Sequence, residues 1–423
     1  MSHQPRRRIS SSTIFLVASL SLIYMVSQFL RNSLGVIAPD LSRDLHLAPE
    51  QLGFLSGAFF LSFAAAQIPL GMALDRFGPR SVMLGLSGVA ILACLWFATA
   101  QSLAGLTGAR LLMGLGCASF FMAPLLIYAR MFNPARFATL TGIQLGLGSL
   151  GTLFATTPLA FIAAAFGWRT GFFIIAALTI LAALMVALTT RRGLKSKTPP
   201  SPSSATQGNH SHGWRESLSG VAAAIKQPDA LRLLLLHASA YPVFAAMLGL
   251  WGGPYLRDIH GLDLTERGNL LLVMAASQIT GLFAWAAADR LFNSRKRPVF
   301  IGITITMVLL LTLALWPQMP LWGVTLIFAL FGFCCAVTPV ITAHGKSLFP
   351  PHLTGRGLTF MNIGSMGGAF ALQSLTGMII GAFPQTRGMS SPAAYQAGFA
   401  TLAALLFIAL VTYAGARDTT PDD

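Results

Sequence analysis

Two arginines stand inside long apolar runs of this chain, Arg31 and Arg110. A guanidinium carries five N–H donors in a rigid fork and stays charged at every physiological pH, so it suits the recognition of an anion. In a membrane core such a charge costs from about 3 to more than 10 kcal/mol unless it faces water or a partner. The obvious partners are missing. The chain has 13 acidic residues, and each falls in a polar segment or at the edge of an apolar run, among them Asp40, Asp44, Glu50, Asp75, Asp258, Asp289 and Asp418. The negative charge that would complete either arginine therefore has to come from outside the chain, or the arginine has to be satisfied by backbone carbonyls and amides. Tyr24, Gln28 and Arg31 follow at i, i+4 and i+7, one face of a helix. Tyr241 lies on a similar stripe with His237, while Gln144 and Gln373 are amides inside other apolar runs. His237 and His344 are the intramembrane residues that titrate near neutral pH, and so are candidates for proton coupling.

The elements that must position these groups are membrane helices. The chain is 54% hydrophobic and 10% charged, where soluble domains are about one quarter charged. Twelve apolar stretches reach the roughly 20 residues that a span requires, near 14–38, 52–73, 81–100, 103–128, 138–164, 171–189, 231–254, 268–288, 299–316, 321–344, 357–382 and 394–415. The expected fold is an all-α membrane protein with six spans in 1–190, a flexible polar linker over 191–229 and six spans in 230–423. Of the 28 Lys and Arg, 21 fall in segments on the side of the N-terminus and five on the opposite side. That bias puts both termini and the linker in the cytoplasm. The net charge of +15 has the same origin, and no basic stripe on a soluble module points to nucleic acid. Cys94, Cys117, Cys334 and Cys335 lie in apolar runs with no metal or disulfide spacing. There is no phosphate loop and no nucleophile motif, so neither catalysis nor a cofactor is expected.

One charged turn interrupts the apolar pattern between the second and third spans: Gly71, Asp75, Arg76, Gly78 and Arg80. A fainter copy, Asp289-Arg290, follows the eighth span and marks an internal repeat. The pattern Gly71-x-x-x-Asp75-Arg76-x-Gly78-x-Arg80 resembles the loop 2–3 signature of the major facilitator superfamily. Arg110-x-x-x-Gly114-x-Gly116 and Gly167-Trp168-Arg169 resemble two further features of that family. The region of Tyr24, Arg31 and Pro39 is similar to the first span of its organophosphate antiporters and anion:cation symporters. The second-span and seventh-span basic residues of phosphate antiporters are absent, with Gln67 and Ala245 at those places.

The resemblance implies two pseudo-symmetric six-helix bundles around a central cavity, working by alternating access as a symporter or antiporter, with H+ as the candidate coupling ion. A small anionic or carboxylate-bearing solute is expected at Arg31, with Arg110, Tyr24, Gln28, Gln144, Tyr241 and Gln373 shaping the cavity. The Asp75 turn and the Asp289-Arg290 copy would gate the cytoplasmic side. The alternatives are efflux of drugs or metabolites and a transporter-like sensor. The expected setting is a bacterial inner membrane, and the expected state a monomer.

Overall fold

The computed structural model describes residues 11–193, 225–227, 229–350 and 353–420. Most of the 191–229 linker lies outside the described residues. Twelve helices are long and apolar enough to cross a membrane. In chain order these spans are Ser12–Asn32, Pro49–Phe77, Pro79–Thr99, Leu103–Met131, Thr139–Phe166, Trp168–Thr190, Ala230–His260, Leu264–Trp285, Lys296–Leu315, Leu321–Leu348, Thr354–Gly381 and Pro392–Ala414. They form two six-helix halves, as the hydropathy pattern predicts.

The fifth span breaks at Ala155 and Thr156, just before Pro158, and four others are discontinuous in two matching pairs, the first with the seventh and the fourth with the tenth. The first turns at Ser33 and runs on as Leu34–Leu45. The fourth breaks at Ala118. The seventh passes through a π-helical stretch over Met247–Trp251, and the tenth breaks at Ala336 and Val337. A proline follows each of these four breaks: Pro39, Pro124, Pro254 and Pro339. Proline removes one backbone N–H and crowds the preceding turn, which is where helices bend. These four breaks recur at equivalent positions in the two halves. The extra residues expose the repeat more clearly than the eroded charged turn does. They also carry the first and seventh spans well beyond the expected limits of residues 38 and 254.

The halves meet at one end of the bundle, the end that holds Asp40. Arg267 donates to Asp40 across the junction at 3.0 Å. Arg257 donates to the Pro39 carbonyl at 3.3 Å, and Thr157 to Asn269 at 2.9 Å. Backbones touch here as well. A Cβ built on Gly35 would stand 1.9 Å from the Leu248 carbonyl oxygen, and one on Gly253 would stand 1.8 Å from the Gly35 carbonyl oxygen. Only glycine permits such an approach. Toward the other end, the last hydrogen bond between the halves is Asn362 to Gln67 at 3.2 Å. Beyond it, among the described residues, no hydrogen bond or ion pair joins them. The bundle is thus closed at the Asp40 end and parted at the Asp75 end.

The close backbone approach makes a direct prediction. Gly35→Val should force the Asp40 end apart, because no rotamer relieves a Cβ clash with a carbonyl. Spin-label distances across that end should shift from a mainly short to a mainly long population. An unchanged distribution would contradict this account of closure.

Candidate functional site

The break at Ser33 places Arg31 where the first span meets the second, seventh and eleventh. Arg31 is 8% exposed. Its guanidinium lies over the Phe63 ring, 4.5 Å from the centroid. One terminal nitrogen faces the Met366 sulfur at 3.9 Å, and Nε has no partner. A π face and a thioether are weak acceptors. The side chain is therefore surrounded by soft, apolar groups and meets no carboxylate. Tyr24 has Arg31 from its own helix and Tyr241 from the opposite half as electrostatic neighbours. The Tyr24 ring packs against Gly148 and lies 5.1 Å from Phe121.

Orphaned polar atoms cluster on the same stretch. Ser27 Oγ, Gln28 Oε1, Arg31 Nε and Asn32 Oδ1 are all buried without a protein partner. Buried polar atoms are nearly always paired, so four orphans within six residues of one helix single out this stretch as a candidate site. Asn32 also donates to the Gln28 carbonyl at 2.9 Å and to Thr152 Oγ1 at 3.4 Å. Sequence reasoning passed over Asn32, Phe63 and Met366. Asn32 was detectable as a second polar residue beside Arg31. Phe63 and Met366 were not, because nothing distinguishes them from lipid-facing residues until the helices are packed.

Arg110 has a different environment. It is fully buried and donates to the Leu30 carbonyl at 2.7 Å and to the Ser56 carbonyl at 3.3 Å. Its guanidinium also lies over Phe59. It thereby ties the fourth span to the first and second at the residue just before Arg31. Gln144 is equally committed. It donates to the Leu20 carbonyl at 3.0 Å and accepts from Ser21 at 3.3 Å and Tyr128 at 2.9 Å. Gln373 donates to the Ala245 carbonyl at 3.1 Å and keeps Oε1 unpaired.

The two histidines contrast. His344 uses both ring nitrogens, one with the Tyr413 hydroxyl and one with the Arg417 carbonyl at 2.9 Å. Both nitrogens of His237 are buried with no partner. At the parted end, Asp75 and Arg76 are exposed, and Arg76 covers the Phe77 ring. Gly78 adopts φ +78°, which lets the second span stop and the third begin at once. Arg80 turns to its own half, donating to Thr190 at 2.9 Å and the Ala187 carbonyl at 3.2 Å. Around Gly71 there is open space.

The segment after Asp289 and Arg290 anchors the C-terminal segment. Ser294 and the Lys296 amide donate to Asp418, and Lys296 Nζ donates to the carbonyls of Ala414 and Ala416. Partial burial of Asp418 would raise its pKa, but these hydrogen bonds outweigh that and hold it below the ordinary carboxylate range. Asp229 behaves alike, with Arg232 and Arg417 overcoming its burial.

A sequence profile of the Major Facilitator Superfamily matches residues 20–372. The chain belongs to this family. It is a multi-pass membrane transporter. It is 24% identical, over 67% of its length and 68% of the relative's, to the probable sulfoacetate transporter SauU of Cupriavidus necator. It is also 24% identical to the multidrug resistance protein MdtL of Escherichia coli, over 77% of its length and 80% of the relative's. Its fold superposes with a TM-score of 0.77, at 20% identity and over 96% of this chain and 97% of the other, on a bacterial homologue of the human lysosomal transporter Spinster. That structure is in an inward-facing, unoccupied conformation.

Two predictions follow from these environments. Arg110→Lys should cost about 2 kcal/mol, since a single ammonium cannot serve both carbonyls. The melting temperature in detergent should fall, whereas Arg31→Ala, which removes an unpaired charge, should hold or raise it. The second concerns pH. A depressed folded-state pKa stabilises above the ordinary carboxylate value and loses that contribution as pH falls through the folded value. Cleavage by a low-pH protease near residue 417 should therefore accelerate as pH drops below about 4, and Asp418→Asn should make the site labile already at neutral pH.

Proposed function

We propose that the chain is a secondary active transporter for a small organic monoanion, a carboxylate or sulfonate, which it carries by alternating access. The observation that supports this most is Arg31: a permanent charge, buried near mid-membrane, with no carboxylate and an unpaired Nε. A bound anion would supply what the protein withholds. One anionic charge fits best, because the other intramembrane guanidinium near it, Arg110, is engaged by carbonyls. The soft surroundings of Phe63 and Met366 favour an anion that gives up its hydration readily, as a sulfonate does. The relation to SauU agrees with this reading.

In this proposal Tyr24, Gln28 and Tyr241 contact the solute. Arg110, Gln144 and Gln373 hold the helices that carry them. His237, with two unpaired nitrogens, takes the coupling proton, and His344 serves as an anchor. The Lys and Arg bias sets the Asp75 end in the cytoplasm, so the structure corresponds to an inward-facing state of a monomer in a bacterial inner membrane. The Asp75, Arg76 and Arg80 turn would meet the second half only when that end closes. A second reading, efflux of amphipathic compounds, draws on the aromatic walls of Phe63 and Phe121 and on the relation to MdtL.

Uptake into proteoliposomes separates the two. Short carboxylates and sulfonates should stabilise and be accumulated by the wild type, and Arg31→Ala should lose at least about tenfold in uptake. His237→Gln should abolish proton-driven accumulation while leaving solute exchange intact. Lipophilic cations that are carried equally by wild type and Arg31→Ala would favour the second reading and overturn the first.

A further inference from the structure

At the closed end of the bundle the two halves enclose a cavity of about 580 Å³ that lies apart from Arg31. One half contributes the segment after the first span, with Ser42, Arg43 and His46. The other contributes Arg257, at the end of the seventh span, and the hairpin between the eleventh and twelfth spans, with Arg387. Gln385–Thr386 and Met389–Ser390 pair as its two short strands. Arg387 and Gly388, at φ +54° and +72°, form the two-residue turn. Three arginines and a histidine line this cavity, and no carboxylate does.

The acidic groups of this end stay out of the cavity lining, although Asp40 and Asp44 pair with Arg43 and Asp258 pairs with Arg257. Asp40 takes Arg43 and Arg267, one on each oxygen. Asp44 receives the Trp168 indole N–H and Arg169. Asp258 pairs with Arg257 at 2.6 Å and accepts from Tyr395 and the Ser390 amide. Asp263 and Glu266 cap the eighth span reciprocally, and Glu50 lies along Gly381. Arg257 has a free share of donors beyond Asp258, spent on the carbonyls of Pro39 and Gly388. Arg387 makes no hydrogen bond or ion pair among the described residues, although its neighbours do.

We propose that this cavity is a second anion site, which binds a small oxyanion between Arg43, His46 and Arg387. Its walls come from both halves, so it is whole only while the Asp40 end is closed. By linkage, an anion bound there must stabilise the closed end by the amount that closure improves its binding. The site is therefore both a binding site and a brace for the state seen in the structure. It goes beyond the central site and does not depend on what Arg31 carries.

Sulfate serves as the probe, with the purified full-length protein in chloride-free buffer. Binding is measured in an Arg31→Ala background, so that the central site contributes nothing. The protein should bind one sulfate saturably. Arg387→Gly, which suits the positive φ of that turn, should weaken binding about tenfold, as expected for one charge-assisted contact. Arg43→Gln should weaken it less, because Arg43 already pairs with Asp40 and Asp44. Spin labels at Phe166→Cys and Trp322→Cys, exposed residues at this end of opposite halves, should report a larger short-distance population with sulfate, an effect absent from Arg387→Gly. A repeat in nanodiscs distinguishes the source of the oxyanion. If phosphatidylglycerol, but not phosphatidylcholine, displaces sulfate and shortens the distance, a lipid phosphate occupies the same site. No saturable binding in the Arg31→Ala protein, or binding indifferent to both substitutions, would overturn the proposal. So would sulfate binding that leaves the distances unchanged.

Discussion

The hydrogen bond from Arg110 to the Leu30 carbonyl holds much of this architecture in register. It is made inside a fourth span that would otherwise pay for a buried charge. It lands on the last full turn of the first span before the break at Ser33, where a carbonyl is available to an outside donor. A second donor of the same fork reaches Ser56 in the second span. Three helices are thus pinned at the level of Arg31, and Arg31 itself is left facing Phe63 and Met366 with nothing of opposite charge. Arg110 spends two of its donors on carbonyls and leaves Nε unpaired, as Arg31 does, whereas the Arg31 guanidinium meets no oxygen acceptor among the described residues. That difference is the physical basis for reading Arg31 as the ligand-facing group.

The same economy of charge shapes the two ends of the bundle. At the Asp40 end the halves are joined by an ion pair, hydrogen bonds to backbone carbonyls and glycine-mediated backbone contact. They would all have to break together if the end opened. At the Asp75 end the charged residues face water or their own half. A structure with one rigid seam and one parted face is what a two-state rocking motion requires of either of its end states.

Loss of the repeat's second signature has an explanation in this structure. Around Asp289 the glycines of the first copy are gone, and the basic residues that follow hold the C-terminal segment through Asp418 and the carbonyls of Ala414 and Ala416. His344 reinforces the same anchor through Tyr413 and Arg417. The residues just after Asp289 and Arg290 are tied within one half, whereas Asp75 and Arg76 are exposed.

The number of spans, the repeat, the family and the two intramembrane arginines were all legible in the sequence. Each depends on local composition: an apolar run of sufficient length, a charge within it, a glycine-bearing turn with fixed spacing. Such features survive without knowledge of what packs beside them. The sequence also showed that no acidic residue could reach mid-membrane. It ranked Arg31 above Arg110 only through the family resemblance, and it did not separate His237 from His344, since each pair presents the same chemistry in a similar run. Only tertiary packing decided between them, because satisfaction of a buried polar group depends on which distant carbonyl or hydroxyl lies within about 3 Å. Leu30 and Ser56 answer Arg110, and Tyr413 and Arg417 answer His344, whereas Arg31 reaches only the Met366 sulfur and both nitrogens of His237 have no partner. That is a property of contacts between residues far apart in the chain, which no local pattern encodes.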